Sequence, residues 1–148
     1  MSIKIERTVI DYTKTDKNEI KNEFLTNSAM HINYVQKGCA FIANKIIEAG
    51  IEHDHTKISL IDEFFDEETN KFKGLQAHMS AERHHQIKDG CPDDVTLIDI
   101  IEFMVDVVMA ATARKGRVSD EPLSDEILQK AYKNTFEMLK REVVVEDE

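Results

Sequence analysis

The chain has 148 residues, of which 41% are hydrophobic and 32% are charged. This composition is typical of a soluble globular protein rather than a disordered one, and the length is sufficient to bury a core without disulfides. The formal net charge of −10 opposes stable binding to nucleic acid or to an anionic membrane, although bound dications can still recruit a small phosphorylated substrate.

The first third of the chain is predicted to be helical after a short N-terminal arm. Residues 1–12 have the pattern of a short β-like segment, and residues 16–27 have a mostly polar helical pattern. Asn27 and Ser28 predict the N-cap of a longer second helix, which Gly50 ends.

The middle of the chain contains two further helical segments. A helix begins near Thr56 and ends at the acidic loop of residues 66–70. The next segment, over about residues 72–88, ends at a turn of residues 89–92 that contains a glycine and a proline.

A strongly apolar helix follows over about residues 95–115, with Asp93 and Asp94 as its predicted cap and Gly116 as its end. Nearly every side of this helix is apolar, so it is expected in the core, with the seam of a homodimer as the alternative.

The last helix is amphipathic. It opens at Ser124 and runs to about Arg141, and residues 143–148 are predicted to be a frayed tail. The pattern as a whole predicts an all-α fold, a single-domain bundle of five or six helices.

The sequence also predicts where the protein is located and how many domains it has. We find no apolar run of membrane-spanning length and no secretion signal, which predicts a cytoplasmic protein. Cys39 and Cys91 have no metal-binding spacing and are interpreted as reduced. We expect one domain over residues 1–148, in which residues 1–15 and 142–148 are peripheral.

Side chains that can bind a metal ion are scattered along the chain. Imidazole nitrogen and carboxylate oxygen are the ligands that Zn²⁺, Mn²⁺ and Fe²⁺ prefer in hydrolytic sites. The candidate ligands, in chain order, are His31, the pair His53-Asp54, His78, the pair His84-His85, and Asp106.

The first two elements of this series lie at or near predicted helix starts. His31 has Tyr34 and Gly38 at helical spacing, so it is either a core histidine bonded to a backbone carbonyl or a ligand. Asp54 is either a simple helix N-cap or a ligand. Lys57, one turn on, can contact a phosphate or steady a carboxylate.

The later histidines fall in one predicted helix. On a continuous helix His78 and His85 are two turns apart and share a face, with His84 about 100° round from His85. The alternative is a solvated polar face, because charged residues surround them.

The apolar helix carries a stripe of three acids. We expect Asp99 to face solvent. Asp106 is flanked by valines, and a buried, unpaired carboxylate costs several kcal/mol, which a metal ion would relieve. Glu102, one turn before Asp106, could hydrogen-bond to a ligand histidine and hold it in place without itself binding the metal.

The order of these residues resembles the HD-domain superfamily, all-helical metal enzymes that cleave phosphate esters. Residues 53–57 and 84–92 are similar to motifs of the HD-GYP phosphodiesterases. A closer likeness, over about residues 29–114, is to a family of small uncharacterised bacterial and phage proteins, in which a helix resembles Glu102-Phe103-Met104-Val105-Asp106 here.

The resemblance implies a hydrolase that uses one or two divalent ions (Mn, Fe, Zn, Ni, Co or Mg) on a nucleotide or another small phosphate ester. Two dications would activate a water for in-line attack on phosphorus. One ion would be held by His31, His53, Asp54 and Asp106, and a second by Asp54 as a bridge with His78 and either His84 or His85. The candidate catalytic groups are Asp54, Lys57, Arg83 and Glu102, with Lys57 and Arg83 as contacts to the phosphate.

Two other functions are compatible with the same residues. One is a non-catalytic module on a degenerate HD scaffold that binds a nucleotide or a protein partner. The other is a plain helical interaction protein whose acidic face meets a basic partner.

Overall fold

The computed structural model describes residues 2–65 and 71–146, without the side chains of residues 71 and 72. The described residues confirm the predicted all-α class, and the predicted acidic loop at residues 66–70 lies outside them. They form α1 (Lys17–Glu52), α2 (His55–Ser59), α3 (Ile61–Phe65), α4 (Lys71–Ala81), a 3-10 turn (Arg83–Gln86), α5 (Leu97–Lys115) and α6 (Asp125–Glu142), with two short strands, β1 (Ile3–Ile5) and β2 (Val143–Val145).

Helix α1 is continuous, so the predicted break at Asn27 and Ser28 and the predicted stop at Gly50 are wrong. Its N-terminus is held by Asp16, whose Oδ1 accepts from the amides of Asn18 at 2.8 Å and Glu19 at 3.0 Å. A polar residue or a glycine inside a long helix costs about 1 kcal/mol or less, which does not end it. No helix in the described ranges is both long enough and apolar enough to cross a membrane.

The chain divides into two compact units, Met1–Asn44 with Glu137–Glu148, and Lys45–Phe136. In the described part of the first unit, β1 and β2 pair in parallel with Ile3 opposite Val143. The amide of Glu146 extends the ladder by donating to the Ile5 carbonyl at 2.9 Å. Residues 143–145 are therefore ordered by strand pairing, and the prediction of a frayed tail is wrong for them.

The core of the second unit lies where α5 and α6 meet the loop after the 3-10 turn. The buried apolar residues there are Ile87, Val95, Ile100 and Ala131, with Cys91, Leu97, Phe103, Leu123 and Ile127 packed around them. A polar contact fixes the register of the two helices, because the Thr135 hydroxyl accepts from the Leu97 amide at 2.8 Å and donates to the Ala131 carbonyl.

Helix α5 ends as predicted but begins differently. Gly116 caps its C-terminus in the left-handed conformation, with φ 68°. Its N-terminus is a capping box of Thr96 and Asp99 rather than the predicted Asp93 and Asp94. A threonine followed three residues later by an acid satisfies two amides reciprocally, which a pair of exposed aspartates further upstream does not.

The predicted helix over residues 72–88 is two elements. Helix α4 ends at Ala81, and Glu82 has extended backbone angles (φ −86°, ψ 119°) before the 3-10 turn begins. The histidines on either side of Glu82 therefore do not share a helix face. The change of direction at Glu82 brings the rings of His78 and His85 together instead, with their centroids 4.7 Å apart.

Candidate metal centre

Side chains from four parts of the second unit converge on one cluster. They come from the link between α1 and α2, from α4, from the 3-10 turn and from α5. Overlapping groups of three residues each offer ligand atoms within 4.8 Å of one another, so the cluster could hold a metal ion. The members are His53, Asp54, His78, His84, His85, Glu102 and Asp106.

The carboxylate of Asp54 lies at the middle of this cluster. Its Oδ1 is 3.3 Å from Nε2 of His78, 3.3 Å from Nε2 of His84 and 3.8 Å from Nε2 of His85. Around an ion with bonds of about 2.1 Å, neighbouring ligand atoms lie about 3.0 Å apart in octahedral and about 3.4 Å apart in tetrahedral geometry. The shorter separations at Asp54 are therefore compatible with ligand atoms around a cation.

Polar atoms at the centre of the cluster have no hydrogen-bond partner. Among the described residues, Asp54 Oδ1 and both ring nitrogens of His84 are buried without one. Leaving a buried polar atom unpaired costs about 1–3 kcal/mol, and more for a charged group. A divalent cation would satisfy the carboxylate oxygen and an imidazole nitrogen together, so the donor set fits such an ion.

The backbone at Asp54 is in the left-handed region, with φ 55° and ψ 21°. Within the described ranges it is the only residue other than glycine with a positive φ. It occupies the N-cap position of α2, yet its side chain makes no capping hydrogen bond. The strained backbone turns the carboxylate toward the histidines, where Lys57 Nζ contacts its Oδ2. The simple N-cap interpretation of Asp54 is therefore wrong.

Glu102 orients two of the rings from the far side. Its Oε1 is 2.9 Å from Nδ1 of His53 and 3.1 Å from Nδ1 of His84, although only the contact with His53 is aligned as a hydrogen bond. Because a carboxylate only accepts, Nδ1 of His53 is the donor in this contact, and in the neutral ring Nε2 is then free to bind a cation. That nitrogen lies 3.5 Å from Asp54 Oδ2 and 3.4 Å from Asp106 Oδ1.

His78 is oriented by a second relay, which sequence analysis missed. Thr56 Oγ1 donates to Glu82 Oε1 at 2.5 Å and lies 2.6 Å from His78 Nδ1. The hydroxyl proton is committed to Glu82, so Nδ1 of His78 is the donor and its Nε2 is bare. This nitrogen lies 2.9 Å from Nε2 of His85. Nothing in the spacing of Thr56 and Glu82 along the chain signals the contact.

Burial and neighbouring charges set the protonation of the cluster. Burial lowers the pKa of His78, and burial with the adjacent His84 lowers that of His85, so both rings favour the neutral form that binds metals. For His84 burial also lowers the pKa, but nearby carboxylates, led by Glu102, outweigh it and raise the pKa. Burial would raise the pKa of Glu102, but the contacts from His84 and His53 lower it.

No model of a known protein family matches this chain, no curated protein matches it, and no solved structure matches it. The likeness to HD-domain enzymes therefore stays a resemblance in residue types and order.

Arg83 is engaged by two acids at the start of α5. Its Nε and Nη2 donate to the two carboxylate oxygens of Asp99 at 2.8 and 3.0 Å, and its Nη1 donates to Asp94 at 3.1 Å. Asp99 is only 7% exposed, so the expectation that it faces solvent is wrong. From helical periodicity alone, an acidic stripe predicts a solvent-exposed face. Periodicity does not show that an acid in the first turn caps the helix. The predicted contact of Arg83 with a phosphate stays a prediction.

His31 lies in the first unit, on the exposed surface of α1. It lines a cavity there with Ile20, Phe24 and Ile32. None of the candidate groups formed by the described residues includes it. Its predicted role as a metal ligand therefore stays a prediction.

Proposed function

We propose that the cluster is a divalent metal centre and that the protein is a metal-dependent phosphohydrolase acting on a small phosphate ester. One observation carries the proposal: a buried carboxylate oxygen of Asp54 has no hydrogen-bond partner among the described residues and is faced by three imidazole nitrogens. The order of the residues, which resembles that of HD-domain enzymes, supports the class of reaction.

The overlapping groups suggest how one or two ions would be held. His53, Asp54 and Asp106 would hold one, and Asp54, His78 and His85 would hold a second, with Asp54 shared. Mixed imidazole and carboxylate donors suit Mn, Fe, Co, Ni and Zn, while Mg usually takes oxygen ligands alone. When bound, such a cation lowers the pKa of a coordinated water and neutralises the oxygens of a phosphoryl group.

Other side chains of the protein hold these ligand groups in position. Glu102 fixes the tautomer and orientation of His53, and the Thr56–Glu82 relay does the same for His78. Lys57 holds one oxygen of Asp54, which leaves Oδ1 directed at the histidines. These contacts hold the rings of His53 and His78 in place before a cation binds.

Elemental analysis of the purified protein, before and after reconstitution with Mn²⁺, Fe²⁺ or Zn²⁺, tests the metal centre. We expect stoichiometric metal in the wild-type protein and in Asp93→Asn, an exposed aspartate of the same unit. We expect background metal in Asp54→Asn. Equal retention by all three proteins, or no retention by any of them, would refute the centre.

Metal-dependent release of 4-nitrophenol from bis(4-nitrophenyl) phosphate and from 4-nitrophenyl phosphate tests the reaction. We expect turnover by the reconstituted wild-type protein, its loss on addition of a chelator, and its absence in Asp54→Asn. Metal-loaded protein that hydrolyses neither these esters nor any member of a nucleotide panel would contradict the enzymatic proposal.

A second candidate is a non-catalytic binding module on the same centre. The observation that favours it is that Lys57 and Arg83, the cations expected to contact a phosphate, are both held by carboxylates. Metal-loaded protein that binds phosphate or a nucleotide in calorimetry, but turns over none of the esters above, would select this function.

A further inference from the structure

An apolar cavity opens directly beside the cluster, within the second unit. Its volume is about 260 Å³. His53, Glu102 and Asp106, which are members of the cluster, form its polar end. The remaining wall is apolar and comes from α1 and α5, mainly Ile46, Ala49, Gly50, Ile101, Val105 and Met109.

The lining excludes some ligands by its chemistry. Among the described residues that line this cavity, none is Lys or Arg, and away from the cluster none has a polar side chain. The edge of a nucleobase placed here would lose its hydrogen bonds to water without gaining others, at about 1–3 kcal/mol for each unpaired group. A hydrocarbon group loses nothing and gains by burial.

The size of the cavity suits a compact hydrocarbon group. An apolar cavity of about 150 Å³ is enough to take up benzene. The volume of about 260 Å³ therefore accommodates an aromatic ring with a substituent, or a branched alkyl chain.

The neighbouring opening has a different character. A second cavity also reaches Glu102 and is lined by the acids Glu52, Glu82 and Asp99, with Arg83 and His55 as the basic residues among those described. Like charges repel an anionic ligand on that approach. The apolar cavity is the approach on which the non-reacting part of a phosphate ester meets neither repulsion nor unpaired polar groups.

We infer that the apolar cavity binds the uncharged hydrocarbon part of the substrate while its phosphoryl group lies at the cluster. The preferred substrates would then be phosphate esters of aryl or branched alkyl alcohols rather than nucleotides. This inference rests on the proposed metal centre and narrows its substrate class.

Calorimetry of the reconstituted wild-type protein with two non-hydrolysable probes tests it. Phenylphosphonate and methylphosphonate share the same head group and differ in the group that would enter the cavity. Burial of a phenyl ring predicts at least about tenfold tighter binding of phenylphosphonate. Adenosine monophosphate should show no comparable gain over methylphosphonate.

A matched pair of glycines on α1 offers the variant and its control. A Cβ at Gly50 or at Gly38 would meet nothing within 4 Å, so a side chain can begin at either position without a clash. Only Gly50 lines the cavity. Gly50→Leu should abolish the preference for phenylphosphonate, and Gly50→Ala should reduce it. Gly38→Leu should leave it intact, with metal content unchanged in all three variants.

The possible outcomes distinguish a failure of this inference from a failure of the proposed metal centre. Equal binding of the two phosphonates by metal-loaded protein, or a preference that survives in Gly50→Leu, overturns the role of the cavity and leaves the metal centre standing. Tighter binding of adenosine monophosphate that Gly50→Leu weakens also overturns it, because a base would then occupy the cavity. Failure of the wild-type protein to retain metal overturns both.

Discussion

The carboxylates at the two ends of the acidic stripe on α5 have different surroundings. At the first turn, the Asp99 carboxylate accepts from Arg83 and from both the amide and the hydroxyl of Thr96. Along the same helix, Glu102 and Asp106 face a cluster in which buried atoms of Asp54 and His84 lack partners among the described residues.

The difference shows which feature points to a site. Burial of an acid is not informative by itself, because Asp99 is buried and serves the fold through a cap and an ion pair. Buried polar atoms that have no hydrogen-bond partner after folding require a different explanation, because buried polar groups are nearly always hydrogen-bonded. We therefore expect changes at Asp99 to alter stability, and changes in the cluster to alter binding.

The largest effect should follow from Asp54→Asn. Loss of the shared carboxylate charge should weaken metal affinity by more than the roughly 10–100-fold cost of losing a partner outside the ligand shell. Asn tolerates the left-handed backbone, so the free energy of unfolding of the metal-free protein should change by less than about 1 kcal/mol. Competition with a fluorescent chelator measures the affinity, and urea denaturation measures the stability. A large loss of stability without a loss of metal affinity would mean that Asp54, like Asp99, stabilises the fold and does not bind metal.

Glu102→Gln should have the next largest effect. The neutral amide can no longer stabilise the Nδ1–H form of His53 as the carboxylate does, and it removes the negative charge beside His84. We expect metal affinity to fall about 10–100-fold while the stoichiometry is retained. The matched control is Glu121→Gln, an exposed acid paired with Lys88, which should bind metal as the wild type does. Unchanged affinity in Glu102→Gln would mean that Glu102 does not orient the ligands.

The fold was predictable where the signals are local. The all-α class and the glycine stop of α5 follow from periodicity and from one residue's backbone freedom. The breaks predicted within α1 were wrong because Asn27, Ser28 and Gly50 are weak signals, which a long helix outweighs. The pairing of β2 with β1 joins segments more than a hundred residues apart, and local sequence does not encode such a contact.

The residue types of the site were predictable, but their partners were not. Six of the seven predicted metal ligands lie in the cluster, because chemistry restricts ligands to few residue types. The contacts of Thr56 with Glu82 and of Arg83 with Asp99 join residues 26 and 16 positions apart. Such pairs depend on how α2, α4 and α5 pack, so a single sequence shows the acids and bases without showing which of them meet.

The other end of the stripe is tested by Asp99→Asn. This change removes the charge that Arg83 and the capping box require, at a cost of about 1.5 kcal/mol in the free energy of unfolding. Metal affinity should stay within about twofold of the wild type, because Asp99 belongs to none of the candidate ligand groups of the described residues. Asp94→Asn removes an exposed partner of the same arginine and should cost less than about 0.5 kcal/mol. Chemical denaturation with a chelator present compares the three proteins.

The smallest expected effect is the pH dependence of the stability that the ion pair of Asp99 and Arg83 contributes. Burial would raise the pKa of Asp99, but the hydrogen bonds from Arg83 and Thr96 outweigh burial and lower it. A carboxyl whose pKa is lower in the folded protein adds stability above its unfolded pKa of about 3.9, and this stability is lost as the pH falls through the folded value. The stability gap between wild type and Asp99→Asn should therefore be complete near pH 6 and narrow below about pH 4. The cluster acids are the same in both proteins, so the gap isolates Asp99. A gap that stays constant down to pH 3 would mean that the charge of Asp99 adds nothing, and that its contribution is packing alone.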